Sequence, residues 1–366
     1  MNDGDVVLIV GISARALAQS ARRAKLTPVA IDAFGDQDTR AACSALTIAP
    51  DAARGFAEID LDALVPPLIR ALNPKGIVYG SGFDNCPDQL RRLAKHAPLL
   101  GASPETVSAA KDPIRFAGLC AAAGLLHPEV ASNCPPRPEH WLLKRAGGCG
   151  GQHIRGGRAA QEPGSYWQKR IDGQALSLLF TRDSDSFVEL AWSEQWTAPT
   201  DSAPYRYGGA AGPVASSKAP KVLSSLRELT KSLELRGLAS ADFLDDGESL
   251  WLLEINPRPG ATVDVFDDDA DPLILRHLNA VAGHVPVASA FRNPKAAGVV
   301  YAERNLIAPA GRWPDWAADQ PSAGTVVPEG APLCTVRAES DTIADAKTLL
   351  CERVRRIYDF AEGAAA

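Results

Sequence analysis

The chain opens on an apolar run, Asp5–Val10, that stops at Gly11, after which Leu17, Ala21 and Ala24 recur at helical spacing through Ser13–Ala24. Apolar stretches at Pro28–Asp32 and Gly76–Gly80 read as further strands, and Leu61–Leu72 reads as a helix ahead of the second. Strands alternating with helices predict a parallel sheet whose ligands gather at the carboxyl ends of the strands. Those ends are Gly11-Ile12-Ser13-Ala14-Arg15, Asp32-Ala33-Phe34-Gly35-Asp36 and Tyr79-Gly80-Ser81-Gly82-Phe83. Glycine lets a ligand approach the backbone, and free N–H groups at a helix start favour an anion. Glycine that merely turns strand into helix is the plainer reading of each loop alone.

Past a boundary at Pro98–Pro104, short helices are expected at Pro104–Ala110 and Pro113–Ala123. A strand at His140–Lys144 runs into Ala146-Gly147-Gly148-Cys149-Gly150-Gly151. Strands at Tyr166–Ile171 and Ala175–Thr181 flank a turn at Asp172-Gly173, and Pro199–Pro213 reads as a Gly/Pro/Tyr-rich loop. Lys221–Leu235 is the strongest helix, with Leu223, Leu226, Leu229 and Leu233 forming a core stripe on one face. Gly237–Leu244 and Leu250–Ile255 form a hairpin around Asp245-Asp246-Gly247-Glu248. A helix at Pro272–Ala282, strands at Ala297–Ala302 and Leu333–Ala338, and a closing helix at Asp341–Phe360 complete the chain. The Trp313-Pro314-Asp315-Trp316 loop region marks the part beyond Phe291 as a separate small lobe. The expected division is therefore 1–100, 101–180, 181–290 and 291–366.

Composition narrows the class. With 366 residues, 46% hydrophobic and net charge −6, the chain has ample material for several cores and is not a disordered polymer. Its 38 Lys and Arg face 44 Asp and Glu without a basic block, which argues against a nucleic-acid binder. No apolar run approaches the ~20 residues that span a bilayer, and the acidic start is unlike a signal peptide. A soluble cytoplasmic protein with no membrane partner is expected. The seven cysteines are scattered without a Cys-x-x-Cys pair, so reduced thiols are expected rather than disulfides or zinc. Cys149 stands apart because it lies inside the glycine-rich loop.

Three segments carry chemistry. Asp242 lies on one arm of the hairpin and Glu254 on the other, with Asn256 two residues on and hence on the same face as Glu254. Two carboxylates and an amide oxygen suit Mg²⁺, which prefers a few protein ligands completed by phosphate oxygens. An exposed acidic hairpin explains Asp245, Asp246 and Glu248, but not Glu254, which follows Leu250-Trp251-Leu252-Leu253 and needs a partner if buried. Lys144 precedes the glycine-rich loop, where it can meet a phosphate while loop N–H groups cap others. No Gly-Lys-Ser/Thr is present, so this is not a Walker loop. Finally, Gln168-Lys169-Arg170-Ile171 offers main-chain groups and a polar side chain of the kind an adenine edge requires.

In this order the three segments resemble the ATP-grasp superfamily of carboxylate–amine ligases, over about residues 1–290. The resemblance implies an α/β fold of the ATP-grasp kind: a parallel N-terminal domain, a two-lobed ATP-grasp domain and a small C-terminal lobe. It further implies ATP and Mg²⁺ as cofactors, with Mn²⁺ as an alternative. Lys144 with Gly148, Gly150 and Gly151 is similar to the family's phosphate flap, and Gln168, Lys169 and Ile171 to its adenine segment. Asp242, Glu254 and Asn256 are similar to its metal triplet. Lys111 resembles the additional phosphate lysine, although its order with Asp112 is reversed. Gln174 stands where many members have a ribose-binding glutamate. Arg206 is the candidate for a cation on the γ-phosphate, and Arg258 for steadying an acylphosphate. Ser13, Arg15 and Ser81 are candidates for a substrate carboxylate, and Asp264 for an ammonium group. More narrowly, Gly11–Arg15, Asp32–Asp36, Ala323-Gly324-Thr325 and Pro332–Val336 resemble tyramine–glutamate ligases of methanofuran synthesis and relatives in tetrahydromethanopterin-linked one-carbon metabolism. The implied partners are a small carboxylate and a small amine, with a homo-oligomer left open. Two alternatives stand beside this: a dipeptide ligase, and a nucleotide-binding regulatory module without turnover.

Overall fold

Val7–Val10 are wholly buried because their side chains alternate between two cores. In the computed structural model, which describes residues 1–285, 291 and 293–363, parallel strands lie in the order Ala45–Ile48, Thr27–Asp32, Val6–Val10 and Ile77–Tyr79. Val7 and Ile9 pack toward the helix Arg15–Arg23, while Leu8 and Val10 pack toward the helices Leu61–Leu72 and Pro87–His96. Burial on both faces is why the strands read as continuous apolar runs.

A small antiparallel sheet follows, in the order Val130–Ala131, Ser165–Lys169, Trp141–Arg145 and Arg155–Gly156. The next strand, Gln174–Arg182, leaves it and enters an eight-stranded antiparallel sheet. Its order is Leu250–Asn256, Gly237–Asp245, Gln174–Arg182, Phe187–Thr197, Tyr207–Val214, Lys295–Tyr301, Pro332–Glu339 and Ala317–Ala318. One face takes the helix Ala219–Ser232, whose Leu226 and Leu229 are fully buried against Leu178, Phe180 and Phe243. Each such leucine contributes roughly 1.5–3 kcal/mol of transfer free energy. The opposite face packs Leu179, Leu238 and Ala297 against Ala18 of the N-terminal domain and Val263 and Leu273. That second face carries the chemistry.

Two expectations are corrected. Residues 207–213 of the expected loop belong to a strand, because Gly208 and Gly209 let the chain pass under the Trp196 ring, where a Cβ would lie 2.7 and 2.3 Å from ring atoms. The segment beyond Phe291 continues the large sheet rather than standing apart from it, with Gly298 opposite Gly209 and Val336 opposite Gly298. It nevertheless builds a core of its own around Trp313, Val336, Leu350 and Ile357 beneath the helix Ile343–Gly363. No helix among the described residues is long and apolar enough to cross a membrane.

Candidate functional site

The hairpin brings its three oxygen donors together through register. Asp242 lies opposite Glu254 and Ser240 opposite Asn256, so all four side chains share one face. Asp242 accepts from Ser177 Oγ at 2.6 Å and from Asn256 Nδ2 at 2.9 Å. Burial, then the Glu254 charge, pushes the Asp242 carboxyl up to about 6. Burial would raise Glu254 as well, but Lys111 and Lys144 more than offset it, so its carboxyl is held below the usual range. Ser177, one strand over, is a site residue that sequence reasoning missed.

Lys111 ends the helix Pro104–Lys111, and Asp112 caps the next helix by accepting from Ile114 N and Arg115 N. The reversed Lys-Asp order thus sets the lysine at a helix break, aimed into the site. Its Nζ lies 2.8 Å from Glu254 Oε2, 2.8 Å from Asn256 Oδ1 and 3.7 Å from Asp84 Oδ1. Burial opposes the ammonium, yet Glu254 and Asp84 raise its pKa overall. Asp84 in turn receives Arg258 Nε at 2.9 Å and Nη2 at 2.7 Å. Both partners are almost fully buried; burial would raise Asp84, but Arg258 and Lys111 hold it below the usual range. Nothing in the local sequence flags Asp84, since its partner lies 174 residues away.

A cation already sits on Glu254 and Asn256 in the form of the lysine ammonium, so these oxygens fit a positive ligand. Among the described residues no three His, Cys, Asp or Glu side chains converge as a metal cage. Two carboxylates and one amide instead suit an ion that completes its shell with water or phosphate oxygen.

On the small sheet, Leu142 pairs with Gln168 and Lys144 with Tyr166, and Lys144 Nζ donates to Gln168 Oε1 at 2.9 Å. Burial lowers the Lys144 pKa. The glycine-rich loop touches both neighbouring bodies. Gly147, at φ +66°, lies so close to Asp84 and Asn85 that a Cβ would fall 2.5 Å from the Asp84 carbonyl. Gly151, at φ +70°, would meet the Tyr205 carbonyl at 1.8 Å, and Tyr207 N donates to Gly150 O at 3.0 Å. Gly148 abuts the His153 ring. Burial, then Lys144, pushes His153 down to about 4, and its buried Nδ1 has no hydrogen-bond partner among the described residues. Cys149 is exposed on the same loop. Lys169 is exposed on the adenine-type segment, its N donating to Glu129 O at 2.8 Å, and Ile171 is half-buried just past the strand end. Gln174 Nε2 donates to Glu194 Oε2 at 3.1 Å, which brings a carboxylate beside the position expected to lack one.

Other expected residues lie apart or are already engaged. Arg206 donates to the Ala198 carbonyl at 2.8 Å and the Gly330 carbonyl at 3.1 Å, and stacks 3.6 Å over the Tyr301 ring. These contacts engage its guanidinium between two loops. Arg15 and Asp264, expected to bind opposite substrate charges, bind each other, with Arg15 Nη2 at 2.7 Å from Asp264 Oδ2. Arg15 also grips Asp319 at 2.8 Å, and Ser13 Oγ donates to Asp319 at 3.0 Å. The helix start expected to favour an external anion is filled by Asp32, which accepts from Ala14 N at 2.7 Å. Ser81 is half-buried, its carbonyl receiving Ile12 N at 3.1 Å. Burial first, then the charges of Asp264 and Asp242, raises the Tyr207 phenol above its usual range.

Residues 120–262 match the family model of the ATP-grasp domain. A D-alanine–D-alanine ligase of Rhodospirillum rubrum is 39% identical over 64 residues, which is 16% of this chain and 21% of that protein, so the chain spans only about a fifth of this relative's length. Solved structures resemble the chain over nearly its whole length. An N5-carboxyaminoimidazole ribonucleotide synthetase in complex with ADP aligns with TM-score 0.70 and 15% identity over 99% of both chains. An N5-carboxyaminoimidazole synthase of Aspergillus clavatus, bound to ADP and 5-aminoimidazole ribonucleotide, gives 0.71 and 14% over 97% of this chain and 100% of that one. The biotin carboxylase domain of a Hydrogenobacter thermophilus 2-oxoglutarate carboxylase, with MgADP and bicarbonate, gives 0.73 and 13% over 96% and 89%. The fold is therefore the mixed α/β ATP-grasp fold.

Proposed function

We propose that this chain is an ATP- and Mg²⁺-dependent ligase that joins a carboxylate to an amine through an acylphosphate, releasing ADP and phosphate. One observation carries the reading: Lys111 reaches Glu254 and Asn256 at 2.8 Å each, so a buried cation already rests on the hairpin's oxygen donors. Magnesium-ATP, when bound, supplies the transferable γ-phosphoryl group. Asp242, Glu254 and Asn256 would hold the metal, which requires Lys111 to leave Glu254. The freed ammonium and Lys144 then neutralise phosphate charge, and Arg258, oriented by Asp84, steadies the acylphosphate.

A carboxylate oxygen of the acid attacks the γ-phosphorus as the bond to the ADP oxygen breaks. The amine nitrogen next attacks the acyl carbon, phosphate leaves with the electrons of the C–O bond, and the surplus proton passes to phosphate or solvent. No protein nucleophile is needed, because positioning and charge neutralisation perform the work. The glycine-rich loop, lying between Asp84 and Tyr205, would keep water from the acylphosphate.

The acid is proposed to be glutamate and the amine an aromatic amine or cofactor precursor, as in the tyramine–glutamate ligases of methanofuran-type one-carbon metabolism. The strand-end motifs Gly11–Arg15 and Asp32–Asp36 support this. A dipeptide ligase fits less well, since Ser240 stands where those enzymes keep an arginine and packs 3.4 Å from Asn256 Nδ2. The test is ADP release from Mg-ATP with glutamate and other acids offered against a pool of amines. ADP formed only when both are present, and lost by about 100-fold or more in Glu254→Gln, bears the reading out. Nucleotide binding without turnover in any combination would favour a regulatory module, and absence of ATP binding would sink both.

A further inference from the structure

At the far end of the same sheet face lies a cavity of about 430 Å³, lined by Arg337, Arg353, Trp316 and Lys295, the size of a small-ligand site. Measured along the sheet, five strand spacings separate Asp242 from Arg337, or about 24 Å. The cavity is therefore separate from the nucleotide cleft.

Its lining holds four cations and six carboxylates, but they are paired unevenly. Asp267 and Asp269 are each 2.7 Å from Arg23, and Asp264 is held by Arg15. Asp268 and Glu339 face Lys295 at 3.8 and 4.0 Å, and Asp315 pairs with Arg312 at 2.9 Å. Each carboxylate on the wall is thus engaged, Asp267 and Asp269 sharing Arg23, and Asp268 and Glu339 sharing Lys295. Arg337 and Arg353, by contrast, have no carboxylate within 4.0 Å among the described residues. Arg337 Nη2 reaches only the Asp315 carbonyl at 3.5 Å, and Arg353 Nη1 donates to the Arg337 carbonyl at 2.5 Å. Arg353 also lies 5.2 Å over the Trp316 ring, with Arg356 5.6 Å from the same ring. Burial and the like charge of Arg356 both lower the Arg353 pKa. Clustered guanidiniums that lack acids are stabilised by an anion with planar or tetrahedral oxygens, which they can bind in a forked manner.

We propose that this cavity is an anion-binding site that takes a carboxylate or phosphate group beside Trp316, between Arg337 and Arg353. The group belongs either to a distant part of a substrate or to a separate effector. Only the substrate alternative rests on the ligase reading.

The test needs no turnover. Inorganic phosphate and glutarate are titrated calorimetrically into the full-length protein without nucleotide. Binding is expected in the parent, weakened by about 10-fold or more in Arg337→Gln and in Arg353→Gln, and unchanged in Arg304→Gln, which pairs with Glu362 elsewhere. Arg337→Gln removes only a long carbonyl contact, so its thermal midpoint should match the parent and misfolding is separated from loss of the site. Trp316→Phe should keep the heat of binding and lose the accompanying fluorescence change. No binding by the parent, or equal binding by Arg337→Gln, overturns the site. Where ATP turnover is found, phosphate or glutarate competing with the amine assigns the site to the substrate, and a changed kcat without competition assigns it to an effector. Absence of turnover defeats the ligase reading and leaves the calorimetric result intact.

Discussion

Lys111 Nζ stands 2.8 Å from Glu254 Oε2, so an internal ammonium holds the carboxylate that the metal reading also claims. The lysine is almost fully buried while Glu254 keeps 40% of its side chain open to solvent, so the carboxylate can be approached without unfolding. In the proposed reaction this one residue would act in two opposing ways, against the metal before it binds and with the phosphates afterwards. Lys111→Met separates these roles. Mg²⁺ alone should bind the variant about 10-fold more tightly, because it no longer competes with an ammonium, while ATP turnover should fall by about 100-fold or more. Metal titration and ADP release measure the two. Weaker metal binding in the variant would show that Lys111 shapes the site rather than competing for it.

Arg15 makes a prediction about stability rather than binding. It is 2% exposed and touches Asp264 and Asp319 directly, with Asp38 at 3.8 Å. Arg15→Gln strands these acids in the interface between the N-terminal domain and the large sheet. Breaking a buried pair in this way costs about 3–5 kcal/mol, or roughly 5 °C in midpoint for a chain of this size. A thermal melt checks it. An unchanged midpoint with a raised KM for the acid would restore Arg15 as a substrate ligand.

In the proposed metal site, Asp242 would link metal binding to pH. Its carboxyl sits at about 6 against an ordinary 3.8, through burial first and Glu254 second. The folded protein therefore holds this proton more tightly than the unfolded chain. The stabilisation is full below about pH 3.8 and is lost as pH rises through about 6. Metal binding runs the other way, since the ligand must be ionised. The apparent Kd for Mg²⁺ should be flat above pH 7 and weaken by about 10-fold at pH 5. In Asp242→Asn the stability gain on acidification through this window should shrink. A Kd independent of pH between 5 and 7.5 would remove Asp242 from the metal site.

The hairpin's cluster of oxygen donors was legible because strand alternation sets Glu254 and Asn256 on one face, and local register then brings Asp242 opposite. Lys144 and its glycines were legible as a strand running into a loop. The strand Phe187–Thr197 was not, because irregularities at Glu189/Ala191 and Trp192/Glu194 break the period of two. Tyr207–Val214 was hidden by composition: Gly208 and Gly209 look like loop residues until Trp196 is seen above them. Asp84 and Asp319 were invisible for another reason. Their partners Arg258 and Arg15 lie 174 and 304 residues away, and no local pattern encodes a contact made only when domains dock. The same docking converted Arg15 and Asp264 from two expected substrate ligands into one internal pair.

Gly151 tests whether closure of the loop protects the reaction. At φ +70° it occupies the left-handed region, where an L side chain costs about 1–2 kcal/mol. A Cβ there would also lie 1.8 Å from the Tyr205 carbonyl, a backbone atom that cannot swing aside. Gly151→Ala should therefore hold the loop away from the 205–207 segment while leaving Lys111, Glu254 and Asp242 undisturbed. If the loop excludes water from an acylphosphate, the variant should release phosphate in the presence of the acid but without the amine, and its ratio of amide to ADP should drop. A glycine kept only for folding would lower the thermal midpoint and leave that ratio at the parent value. Measuring amide and ADP in the same reaction distinguishes the two outcomes, because loss of folded protein lowers both products together whereas a leaking loop divides them.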